Sequence, residues 1–440
     1  MTAEIAILNR SAVALAADSA VTIGNGETGK VFNSVDKLFQ CINGQPVGLM
    51  VYGSAAFMGI PIETVVKLFR SSNRAKPQPT IKAYRVAFME FLANDLPMSD
   101  FDQQREYAGI ASGLIPELDR AALKEAVRLK GADIEAGELK DILPDIFDQI
   151  VQQFIDDYET HEDCDSMAKL DRDALVTALN EMLSADRWGW EIKAGELNEN
   201  RIHKLAEAIS LVIVKRPLMG AVTGIVIAGF GVDEIFPSLE SVQLCGCYLG
   251  TLKVRVEHEI DIGREGANAL ITPFAQSEMV DRFIDGVDPR YQDFANGHVV
   301  QNLHTLRKKL IEDAAGGDEV ERKRLDDLSA DVVKEISKSW LSDSDQFLHD
   351  NFRKDVLETV SSMPKSDLAS MAESLVNLTS TKRRVSAERE TVGGPADVAV
   401  ISKGDGFIWI RRKHYFKPEL NPRYFVDNRM PSMQSGDRNE

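Results

Sequence analysis

The stretch Thr2-Ala-Glu-Ile-Ala-Ile-Leu-Asn-Arg-Ser-Ala-Val-Ala-Leu-Ala-Ala-Asp-Ser19 decides how the rest of this chain is read. Ala3, Ile5 and Ile7 alternate with Glu4, Ala6 and Leu8, a mostly apolar pattern suited to a strand covered on both faces. Asn9-Arg10-Ser11 supplies a tight turn. Ala12–Ala17 then gives a second buried strand, ending at Asp18-Ser19.

Working outward, Gly24-Asn25-Gly26 with Gly29 is loop chemistry. Strands are expected over 38–42 and 47–52, with Asn43-Gly44 as the hairpin signal between them. Ile62, Val65, Val66 and Phe69 form one apolar helix face, and a second helix is expected over 81–96. From Pro97 to Pro217 the chain turns helical and acidic, with an apolar stripe at Ile146, Phe147, Ile150, Val151, Phe154 and Ile155. Strand signals return at 224–229, 241–249 and 252–256. Next come a helix at 278–286, a long charged helical region at 298–362, and a helix marked by Leu368, Met371, Leu375 and Leu378. Strands at Asp397–Ser402 and 407–411 close the pattern, and the polar tail is expected to be loosely ordered.

Blocks of strands separated by blocks of helices point to an α+β fold of two stacked sheets with helices outside, not a doubly wound parallel sheet. No repeat of solenoid period is apparent. The 440 residues are 44% apolar and 27% charged, a globular balance. No run of apolar residues is long enough for a membrane helix, and no secretory signal is visible. The four cysteines are too few for a disulfide framework, so a cytoplasmic protein is expected. Net charge is −18, with 69 acidic against 51 basic residues, which opposes binding to nucleic acid. The basic runs Lys382-Arg383-Arg384 and Arg411-Arg412-Lys413 read as solvated surface. No Gly-rich phosphate loop follows a strand, so no cofactor is expected. Nor is a metal: His161-Glu162-Asp163-Cys164-Asp165 holds ligand types, but five consecutive residues cannot all face one ion, and it reads as an acidic loop. Cys245 and Cys247 have poor spacing for a zinc or redox motif. Trp188-Gly-Trp190 reads as a packing anchor.

Four segments, in order, resemble proteasome β subunits and their bacterial relatives, including the peptidase component of the HslUV system. They are Thr2, Ala17-Asp18-Ser19, Val35-Asp36-Lys37-Leu38 and Tyr52-Gly53-Ser54-Ala55-Ala56. Gly393-Gly394-Pro395 before Asp397–Ser402 resembles the Gly-Gly turn and penultimate strand of that family, and 223–250 fits its middle strands. The resemblance implies a four-layer αββα sandwich of the N-terminal-nucleophile (Ntn) hydrolases with large helical insertions. Residues 2–96 would be its first half, 218–287 its middle strands and helix, and 366–416 its last helix and closing strands. The insertions would be 97–217 and 288–365, and the tail 417–440.

The same resemblance implies a threonine-type hydrolase in which removal of Met1 frees Thr2. A hydroxyl nucleophile needs a base within reach. The α-amine of a terminal threonine has a reference pKa of about 7.7–8.0, which suits that task. Lys37 would lower the proton affinity of the hydroxyl and amine by its charge, and Asp18 would hold the ammonium by a charge-assisted hydrogen bond. The Gly53 N–H would face the oxyanion, a donor typically worth about 2.7–4 kcal/mol. Ser277, in Thr272-Pro-Phe-Ala-Gln-Ser277, stands where the family has a Gly-Ser-Gly serine. At the family's Asp-x-x-Ser before Gly-Gly this chain has Arg389 and Val392, with Glu390 and Thr391 as shifted substitutes. The expected partners are a peptide or protein substrate, further copies of the chain in a closed homo-oligomer, and an unfoldase. Two other functions compete: an Ntn amidohydrolase for a small amide, and a catalytically silent scaffold.

Overall fold

The computed structural model describes residues 3–23, 30–131, 135–185, 188–190, 192–193, 195–215, 222–263, 266–386 and 393–422. β1 (Ala3–Asn9) and β2 (Ala12–Ala17) form an antiparallel hairpin in which every residue is buried. Asn9 makes the turn between them. Its Oδ1 accepts from the N–H of Ser11 at 2.9 Å and of Ala12 at 3.2 Å. Its Nδ2 donates to the carbonyls of Val360 at 3.0 Å and Met363 at 2.9 Å, fastening the turn to the helices beneath.

β3 (Val21–Ile23) and β4 (Lys30–Phe32) pair as a short ribbon, as do β7 (Ala56–Phe57) and β8 (Ile60–Pro61). The remaining strands are β5 (Leu38–Gln40), β6 (Val47–Gly53), β9 (Thr223–Gly229), β10 (Ser238–Tyr248), β11 (Thr251–Asp261), β12 (Ala269–Ala275), β13 (Asp397–Ser402) and β14 (Gly406–Arg411). They build two antiparallel sheets, one ordered β12-β1-β2-β13-β14 and the other β11-β10-β9-β6-β5. The class is α+β. Alternation along β1 sends Ala6 and Leu8 to a core between the sheets, shared with Leu15, Met50, Val226 and Ala228. Ala3, Ile5 and Ile7 go to the opposite face.

That opposite face is covered by α7 (Glu278–Asp285), α10 (Lys354–Ser362) and α11 (Lys365–Val385), through Val280, Val360, Leu368 and Leu375. The outer face of the second sheet packs on α1 (Ile62–Ser71) and α2 (Ile81–Glu90), whose Val66, Phe69 and Phe88 meet Leu49, Ile225 and Ile227. The layers therefore run helices, sheet, sheet, helices. Where the sheets approach, Gly48 leaves no room for a side chain: a Cβ there would lie 2.7 Å from both Leu15 Cδ1 and Ile401 Cδ1.

α3 (Asp100–Lys130), α4 (Ala136–Glu159), α5 (Arg172–Leu183) and α6 (Glu199–Val214) pack around a core of their own, joined by Tyr248 from β10. The stripe Ile146, Phe147, Val151 and Ile155 is buried in that core, so it is covered within the chain. Trp188 and Trp190 pack against the same core. α8 (Pro289–Ala315) and α9 (Glu319–Leu348) make a long hairpin.

The structure corrects the sequence reading at several points. The helical region begins at Pro289, capped by Asp288, instead of at 298. It is broken at Gly316 and Gly317, whose φ of 53° and 95° end α8. The structure adds β12, a strand the sequence reading does not include; its Pro273 is accommodated because β12 is an edge strand, with Pro273 opposite Ile5. β11 runs on to Asp261 as a half-exposed edge strand with charged residues facing out. Arg383, read as solvated, is buried and donates from Nε to Gln276 Oε1 at 2.8 Å.

The close approach at Gly48 sets a stability test. Gly48→Leu forces Leu15 and Ile401 out of place and should cost about 1–3 kcal/mol or more, read as a lower urea midpoint with an unchanged slope.

Candidate active site

Asp18 directly follows β2 and is 1% exposed. Its Oδ1 accepts from the Ala3 N–H at 3.2 Å, and its Oδ2 from the N–H groups of Ala20 at 3.3 Å and Gly393 at 2.9 Å. The fourth donor is Lys37 Nζ, which bonds to Oδ1. Lys37 immediately precedes β5, so its ammonium comes from the second sheet and enters the gap beside the first. Its backbone is fixed there because Lys37 O accepts from Val51 N at 2.9 Å, extending the β5–β6 ladder. With four donors among the described residues, the carboxylate is fixed in orientation and holds the Lys37 ammonium in one place.

Glu4 completes the cluster. It lies on the inter-sheet face of β1 with Ala6 and Leu8, is 2% exposed, and places Oε1 3.3 Å from Lys37 Nζ. The sequence reading passed over it as one position in an apolar strand. A signal was there: a charged residue in a strand buried on both faces needs a buried partner.

The Gly-Gly turn is seated against this cluster. Ser19 N donates to Gly393 O at 3.2 Å, and Ser19 Oγ donates to Pro395 O at 2.5 Å. Gly394 has φ of 76°, and a Cβ there would come within 2.9 Å of Asn33 O. A second ion cluster adjoins the first. Lys413 Nζ lies 3.2 Å from Asp36 and bonds to the buried Asp397 at the start of β13. Lys413 is therefore not the solvated lysine that its basic run suggested. Its neighbours in that run stay outside, Arg411 bonded to Glu373 and Arg412 stacked 4.7 Å over Trp409.

Gly53 ends β6 opposite Thr223, with φ of 78°. A Cβ there would sit 2.4 Å from Val222 O, so only glycine fits. Ser54 N donates to that same carbonyl at 2.8 Å. Tyr52, just before it, packs its ring 5.5 Å from that of Phe274, tilted by 31°, and donates to Glu257 Oε2 at 2.8 Å. Burial first, and then the Glu257 bond, hold the Tyr52 phenol well above its ordinary range.

Ser277 follows β12 and stands at the N-terminus of α7, where its carbonyl accepts from Asp281 N at 2.9 Å. Among the described residues it makes no hydrogen bond to Asp18 or Lys37. Thr2 lies outside the described residues, as do Arg389, Glu390, Thr391 and Val392. In the 161–165 segment, His161 Nδ1 lies 3.1 Å from Asp157 O while Cys164 Sγ turns to Val254 O at 3.7 Å. Comparison with protein-family models and with curated proteins gives no match.

Asp18→Ala leaves three buried N–H groups without their acceptor and, among the described residues, the Lys37 ammonium with Glu4 alone. Breaking a buried pair in this way should cost about 3–5 kcal/mol in chemical denaturation. A loss below about 1 kcal/mol would mean that the cluster behaves as a surface pair.

Proposed function

We propose that this protein is a threonine-type N-terminal-nucleophile hydrolase of the proteasome β-subunit kind, cleaving peptide bonds with Thr2 once Met1 is removed. The single observation that carries this reading is the Lys37 ammonium, held by Asp18 and Glu4 beside the first residues of β1. Thr2 is joined to Ala3, whose N–H is itself bound by Asp18. The helix–sheet–sheet–helix layering and the Gly393–Asp18 bond also fit an Ntn sandwich.

In this mechanism Thr2 Oγ attacks the carbonyl carbon of the scissile amide while the α-amine takes the hydroxyl proton. The carbonyl oxygen becomes an oxyanion facing the Gly53 N–H. Collapse breaks the C–N bond, and the α-ammonium returns its proton to the leaving amine. Water then enters by the same route, forming the carboxylic acid and freeing Thr2. Lys37 supplies a fixed positive field that favours the alkoxide character of Oγ. Asp18 and Glu4 hold that ammonium from two sides, which keeps the field pointed at one place.

The test combines intact mass with kinetics on fluorogenic peptides. The wild type should lack Met1, Thr2→Ala should show no turnover, and Lys37→Ala, confirmed folded by circular dichroism, should lose at least about 100-fold in kcat/KM. Turnover that survives Thr2→Ala sinks the assignment.

A further inference from the structure

The helices α3–α6 pack around a core of their own, yet the second turn of α3 reaches across to the segment that follows Gly53. Arg105 makes the contact. Its Nη2 donates to Met58 O at 2.7 Å and to Asp102 Oδ1 at 3.1 Å. Asp102 is itself fixed, because its other oxygen accepts from Ser99 N at 2.9 Å and Ser99 Oγ at 2.8 Å in the capping box that starts α3. The guanidinium lies so close over the β7–β8 turn that a Cβ at Gly59 would sit 2.5 Å from Arg105 Cζ.

The turn it grips is short and held under constraint. Met58 has φ of 51°, a region that side chains rarely enter and that persists where the surroundings hold it. It is held from two sides: Arg105 binds its carbonyl, and its Sδ accepts from Cys247 N on β10 at 3.4 Å. From Met58 back to Gly53 the segment is tied at successive positions. Ala56 O accepts from Thr223 Oγ1 at 3.0 Å and from Ser54 Oγ at 2.9 Å. Ala55 O accepts from Ile62 N at 3.0 Å, and Ser54 N donates to Val222 O at 2.8 Å. Ser54 and Ala55 alone separate Gly53 from β7, so a displacement of the turn passes to the Gly53 peptide through two residues.

We propose that Arg105 is a positioning residue for the candidate active site: through it the helices α3–α6 clamp the β7–β8 turn and so hold the Gly53 N–H in its working direction. This rests on the reading that Gly53 faces the oxyanion. A donor of that kind works because it is oriented before the charge develops, and a small misplacement caused away from the chemistry is costly. Arginine suits the clamp because its rigid guanidinium binds the turn and Asp102 at once. A residue that merely docked α3 on the sheet would register in stability and not in turnover.

The experiment pairs kinetics on fluorogenic peptides with hydrogen exchange over residues 53–62. The Arg105 side chain is 44% exposed, so Arg105→Ala should keep the wild-type circular dichroism and melting temperature. Its kcat should fall on the order of 10-fold or more, with KM unchanged, because the interaction lost acts in the transition state. Exchange over 53–62 should speed up roughly fivefold, while 47–52 stays as in the wild type. Arg105→Lys keeps a charged donor without the fork and should fall between the two in both readouts; if Arg105→Ala does not fold, this variant decides. Arg128→Ala, on the same helix and bonded to Glu125, should change neither. Unchanged exchange in Arg105→Ala overturns the proposal, and so does faster exchange with unchanged kcat. A wild type without peptide turnover is a failure of the threonine-hydrolase reading alone, and exchange then decides whether Arg105 clamps the turn.

Discussion

The structure turns on one carboxylate. Asp18 accepts from the first described residue of β1, from the loop after β2, from the Gly-Gly turn before β13, and from a lysine of the opposite sheet. Those groups are far apart in the chain and belong to three neighbouring strands and a second layer. A buried carboxylate is tolerated only when its acceptor sites are filled. Satisfying Asp18 therefore fixes the chain segments around it relative to one another, and with them the height at which Lys37 stands between the sheets.

Around that hub the charges are layered. Lys37 is shared by Asp18 and Glu4, and one residue earlier Asp36 reaches Lys413, which is also bound to Asp397. The ends of β1, β2 and β13 and the segment leading into β5 are thus joined by alternating charges in a poorly solvated place. Such pairs contribute little net stability compared with apolar packing, but each punishes the loss of its partner. Each pair thus favours the arrangement in which its partner is in place. The stability itself comes from the flanking apolar layers, including the tight approach at Gly48.

The helical parts divide into two kinds. α3–α6 close on themselves and on Tyr248, leaving their apolar stripe covered. The α8–α9 hairpin buries only a seam and leaves large apolar side chains in solvent. The same amphipathic pattern in sequence thus has two outcomes, and helix count separates them: four helices can surround a core, whereas two can only sandwich a line of side chains.

Much of this was determined by sequence alone. Period-two alternation wrote β1 and β2, Asn9 wrote their turn, and the apolar spacing of Ile62 to Phe69 wrote α1, because those preferences act between residues close in the chain. Asp18 and Lys37 were also legible as a pair, through spacing and the resemblance that it carries. Only the tertiary structure decided that Glu4 joins them, that Arg383 is buried and Lys413 half-buried in basic runs otherwise typical of surface, and that Pro273 lies in a strand. Each of these depends on a partner brought from a distant segment: Lys37 for Glu4, Asp397 for Lys413, Gln276 for Arg383, and an edge position beside β1 for Pro273. A charge or a proline states locally what it costs to bury or to pair, but whether that cost is met is set by what the fold places opposite it.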